Sequence, residues 1–69
     1  MNNYFIFRST SLVFKSEKLI KEHNIEYKVV PTPKAFGKVF CGVCICVNSD
    51  KKEDVKRILD EKNIEYCVK

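Results

Sequence analysis

The tetrapeptide Asn-Ile-Glu-Tyr occurs twice, at residues 24–27 and 63–66, and each copy closes a run with helical spacing. The longer echo sets residues 18–27 against residues 57–66. Asn tolerates the left-handed backbone conformation that commonly ends a helix, so Asn24 and Asn63 mark equivalent helix stops, each feeding a strand. A chain built from two such halves buries its apolar surface by placing its strands in one sheet and both helices on one side of it.

The rest of the chain fills in the halves. Residues 4–8 are aromatic and branched and read as a first strand, after which Ser9, Thr10 and Ser11 offer side-chain oxygens to cap a helix. Leu12, Ser16, Leu19 and His23, with Val13 and Ile20 beside them, carry that helix to about Asn24, with Lys15, Lys18 and Lys21 towards solvent. Residues 25–30 read as a second strand closed by Pro31 and Pro33, which cannot donate to a ladder. Residues 43–47 form a third strand, apolar on both faces and hence central. Asp50 followed by Glu53 reads as a capping box, Val55, Ile58 and Leu59 give the second helix its stripe, and residues 64–68 alternate as a last strand. The order βαββαβ predicts an α+β, ferredoxin-like split βαβ sandwich: a four-stranded antiparallel sheet in the order 4-1-3-2 with two helices on one face.

With 69 residues, the chain reads as one domain over 1–69, close to the size at which a single core barely offsets chain entropy, so association with a second copy would help it. The thirteen Lys and Arg are interspersed with nine Asp and Glu, leaving a net charge of +4 spread over solvated helix faces. Glu17, Glu22, Glu53 and Glu61 belong to those faces. No basic run or nucleic-acid motif is present, and although Tyr4, Phe5 and Phe7 on a sheet could stack bases, core packing explains most of them more simply, so no nucleic-acid partner is expected. The N-terminus has no basic leader and only a short apolar run. That predicts no signal peptide, no membrane span, and a cytoplasmic protein whose four cysteines are reduced.

The chemistry centres on residues 31–42, where a Pro-Thr-Pro segment leads to Cys41-Gly42 at the start of the third strand. In the predicted topology the end of strand 1, the start of helix 1 and this loop share one edge of the sheet, which brings Cys41 towards Ser9, Thr10 and Ser11. A helix N-terminus favours an anion, and a thiolate is one. Arg8, Lys34 and Lys38 add positive charge, and such surroundings lower a cysteine pKa. Gly42 leaves room for a partner at the sulfur and permits an unusual backbone angle. Equally, Cys41 reads as a small core residue beside a bulge.

Cys41 and Cys44 have CxxC spacing, which raises a metal or redox reading, but Cys44 falls within an apolar strand. Zinc takes about four ligands, and His23, the single histidine, is better placed to interact with the end of its own helix. No metal site is assigned and no cofactor is expected. If Val43, Ile45 and Val47 face the helices, Cys44, Cys46 and Cys67 lie on the open face of the sheet, a surface suited to a second copy or a partner. No Cys–His or Ser–His–Asp constellation is present, so a self-contained enzyme site is not evident.

Ser9-Thr10, Ser16-Glu17-Lys18, Pro31-Thr32-Pro33 and Cys41-Gly42 together resemble the pattern of the selenium/sulfur carrier-like family of small bacterial proteins, over essentially all 69 residues. The resemblance implies that Cys41 holds sulfur or selenium as a persulfide or selenosulfide and passes it from a protein donor to a protein acceptor. Cys44 and Cys46 depart from that pattern and keep the redox and metal readings open. A non-catalytic interaction module using the open sheet face is the remaining alternative.

Overall fold

Asn24 and Asn63 are the two non-glycine residues with positive φ, at 58° and 56°, in the computed structural model, which describes residues 2–36 and 42–69. Both helices end in the same way. After α1 (Thr10–Glu22), the Ile25 amide donates to the Ile20 carbonyl and the Asn24 amide to that of Lys21; after α2 (Lys52–Glu61), Ile64 donates to Leu59 and Asn63 to Asp60. This paired pattern satisfies carbonyls that a helix end otherwise leaves bare.

The strands β1 (Asn2–Ile6), β2 (Lys28–Pro31), β3 (Val43–Asn48) and β4 (Cys67–Val68) form one antiparallel sheet in the order β2-β3-β1-β4, the ferredoxin-like arrangement expected. Register sets the faces: Phe5 opposes both Ile45 and Val68. Phe5, Ile45 and Val47 join Val13 and Ile20 of α1 and Val55 and Leu59 of α2 in the core, with Phe7 and Ile64. The Phe5 and Tyr66 rings meet at 5.5 Å between centroids, so the second Asn-Ile-Glu-Tyr also contributes an aromatic contact.

Several boundaries differ from expectation for identifiable reasons. The expected second and fourth strands begin too early, because the amides of Ile25 and Ile64 are used by the helix caps and cannot enter a ladder. Pro31 extends β2 rather than closing it, pairing with Val43; β2 is an edge strand, where a missing N–H is tolerated. The first strand is shifted to Asn2–Ile6, and α1 stops two residues before Asn24. Asp50 and Glu53 form no capping box. A 3-10 turn at Ser49–Lys51 runs directly into α2, and neither Asn48 nor Lys51 makes a side-chain cap bond. At β4, mutual hydrogen bonds between Tyr4 and Lys69, at 2.9 and 3.0 Å, carry the pairing past Val68.

Candidate functional site

Ser9 is the N-cap of α1: its backbone is extended and its hydroxyl accepts from the Leu12 amide at 3.4 Å. Its carbonyl also takes the Val13 amide, so Thr10 starts the helix and the first turn carries no acidic residue. The positive end of the helix dipole therefore lies at Ser9 and Thr10, with no acid in the turn beside it.

The β2–β3 connection approaches the same end. Pro31 pairs with Val43, and one step further out the Thr32 amide donates to the Gly42 carbonyl at 2.9 Å. These two links close the base of the loop. The β1–β3 register places Phe5 opposite Ile45, and because the two strands are antiparallel, the end of β1, which leads to the Ser9 cap, lies at the same edge of the sheet as the start of β3, which follows Gly42. The sequence marks Thr32 only as part of the Pro-Thr-Pro motif; the signal for its backbone role is its position between two prolines, where it supplies the segment's one backbone donor.

Gly42 is exposed, and a Cβ added there would meet nothing within 4 Å. Its φ lies outside the left-handed region, which corrects the expectation that glycine serves an unusual backbone angle here. Arg8 forms an ion pair with Glu65 at 3.2 Å, both side chains well exposed, so part of its charge is already answered. Lys34 sits exposed on a 3-10 turn, Lys34–Phe36, within the loop. Cys41 and Lys38 lie outside the described residues.

The other thiols differ sharply. Cys46 opposes Tyr4 and Lys28, and Cys44 opposes Val30, on the sheet face turned away from the helical core. Yet Cys44 is fully buried and Cys46 is 8% exposed, so they do not present the flat open surface expected of them; Cys67 is exposed. Among the described residues, no three His, Cys, Asp or Glu side chains form a group able to hold a metal ion. The Nδ1 of His23 lies 2.8 Å from the Leu19 carbonyl, which it meets as a donor at the C-terminal end of α1, as expected. A recess of about 350 Å³ beside it, lined by Lys51, Asp54, Arg57 and Glu61 among others, lies at the opposite end of α1 from Ser9. No described helix is long and apolar enough to cross a membrane.

These features define a ferredoxin-like α+β protein in which a helix N-terminus and the base of a cysteine-bearing loop share one edge of the sheet. The chain belongs to the family described as "Putative Se/S carrier protein-like", whose model matches residues 2–67. No curated protein and no solved structure matches it.

Proposed function

We infer that the protein carries sulfur or selenium on Cys41 between a protein donor and a protein acceptor. The observation that carries this reading is family membership across residues 2–67. It is supported by the closed loop base at Thr32 and Gly42, one residue from Cys41 in the chain and at the sheet edge where the capped start of α1 also lies.

In the loading step, the Cys41 thiolate attacks the terminal sulfur of a donor persulfide. A new S–S bond forms on Cys41, the donor's S–S bond breaks, and the donor leaves as a thiolate. Delivery to an acceptor thiolate is the same exchange, with Cys41 as the leaving thiolate. Sulfur keeps its oxidation state throughout, so no external oxidant is needed, and selenium follows the same course as the terminal atom. The residues have three tasks here: Ser9 and Thr10 hold the first turn of α1 towards the anion, Lys34 and Lys38 add charge to the loop, and Gly42 keeps the approach open. A thiolate so placed needs no general base of its own.

Glutathione persulfide tests the reading. By peptide mass, Cys41 should gain one sulfur ahead of exposed Cys67, and total uptake should fall in Cys41→Ser, with the secondary structure of the variant unchanged. The pH dependence of alkylation should place the Cys41 pKa below the usual thiol value of about 8.5. A Cys41 that alkylates no faster than Cys44 and takes up no sulfur removes the chemical basis for a carrier and leaves the interaction module as the account.

A further inference from the structure

On α1, Val13, Ser16 and Ile20 are buried, and the opposite side of the cylinder carries Phe14. At 3.6 residues per turn, Thr10, Phe14, Lys18 and Lys21 fall within about 80° of arc, with Lys15 on one flank. Phe14 is 59% exposed and forgoes much of the roughly 1.5–3 kcal/mol that burying such a side chain yields. Its cationic neighbours are unanswered: among the described residues, Lys15, Lys18 and Lys21 take part in no ion pair. The half-buried Glu17 carboxylate accepts from the Tyr27 hydroxyl at 2.9 Å and keeps its charge at the edge of this face, and the first turn has no acid, which leaves Glu22 as the exposed acid of the helix. The second helix differs, since Arg57 is paired with Asp54 and acids alternate with bases along it.

An exposed aromatic ringed by free cations has the anatomy of a binding hot spot: an apolar anchor inside a charged rim. We propose that this face of α1 docks the protein that exchanges sulfur with this one, and that the partner presents an apolar recess bordered by Asp and Glu. The inference rests on the carrier reading of Cys41. Phe14 lies one turn beyond Thr10, about 6 Å along the axis, so a partner seated on it sits near the end of the helix that shares a sheet edge with the base of the β2–β3 loop. A second copy is the poorer occupant, because a two-fold contact through this face would set lysine against lysine. Acidic rims also accelerate encounter with a basic face, so the docking is expected to weaken with salt.

The test places a photoreactive side chain in the full-length protein as Glu22→benzoylphenylalanine, with Glu53→benzoylphenylalanine on α2 as the control, and irradiates cells expressing each. The expected result is a discrete protein adduct from position 22 and none from 53, its crosslinked peptide rich in Asp and Glu, reduced at least about fivefold by Phe14→Ala or Lys18→Glu. In the same two variants, loading of Cys41 by glutathione persulfide should be unchanged. The proposal is overturned by no adduct at position 22, by one that survives both substitutions, or by a crosslink to lipid, nucleic acid, a second copy or an acid-poor segment. Failure of the carrier reading shows elsewhere, as absence of sulfur on Cys41 in the glutathione persulfide experiment, whatever the crosslink shows.

Discussion

The amide of Thr32 donates to the carbonyl of Gly42 across 2.9 Å, closing the β2–β3 loop one residue before β3 begins. Gly42 supplies only its carbonyl to that link, and its backbone does not need glycine. Gly42→Ala should therefore keep the fold and raise stability by about 0.5 kcal/mol, through the reduced freedom of the unfolded chain. Urea denaturation measures it, and a loss of more than about 1 kcal/mol would contradict the open space around the position.

The helix caps respond in the opposite sense. Asn24 and Asn63 sit at φ 58° and 56°, where a Cβ without a compensating side chain is costly. Asn24→Ala and Asn63→Ala should each cost roughly 1–2 kcal/mol, whereas the glycine substitutions should be neutral or slightly stabilising. A denaturant series on the four variants separates backbone conformation from any contact the amide groups make.

Ser16 is fully buried on α1, and its hydroxyl has no hydrogen-bond partner among the described residues. Removing an unsatisfied buried polar group recovers its desolvation cost, so Ser16→Ala should stabilise the protein by about 1 kcal/mol. A destabilised Ser16→Ala would mean that the hydroxyl is satisfied in solution.

Two tyrosines make the alkaline side of the stability profile predictable. The Tyr27 phenol is held above its ordinary pKa by its hydrogen bond to Glu17, with burial and the Glu17 charge adding to it. Tyr66 is raised by burial first, then by its hydrogen bond to Asp60 and the charges of Asp60 and Glu53. A raised folded pKa means that the unfolded chain loses these protons first. The contribution is thus fully present below about pH 10 and is lost as pH rises through the folded values. Thermal midpoints should be level up to about pH 9 and fall above pH 10, less steeply in the double variant Tyr27→Phe, Tyr66→Phe.

Burial also orders the described thiols. Exposed Cys67 should alkylate readily in the native protein, while Cys44 and Cys46 react only as the sheet opens, at least about a hundredfold more slowly. Peptide mass spectrometry after timed iodoacetamide labelling reads all of them in one experiment. Equal rates at Cys44 and Cys67 would contradict the burial of Cys44.

Topology was legible in the sequence because the repeated Asn reports a backbone conformation, and two matched helix stops constrain the order of everything between them. Strand ends were harder to read: Ile25 and Ile64 look like strand residues by side chain, yet their amides belong to the preceding helices. Alternation along β3 indicated which way Cys44 and Cys46 point but not whether anything shields them, since burial depends on neighbours distant in sequence. The same holds for Arg8, whose ion-pair partner Glu65 comes from the other half of the chain. At the site, the Ser9 cap was readable from its hydroxyl run, whereas the exposure of Phe14 is a matter of helix phase against the sheet.

The double closure at Pro31–Val43 and Thr32–Gly42 has a consequence for how such a protein diversifies. With both stems tied off at the sheet, the β2–β3 register rests on these two links, and the segment beyond Thr32 is not required to preserve it. Doubling a flexible loop adds only about 0.6 kcal/mol of closure entropy. A change of loop length is thereby uncoupled from the pairing that holds β2 to β3.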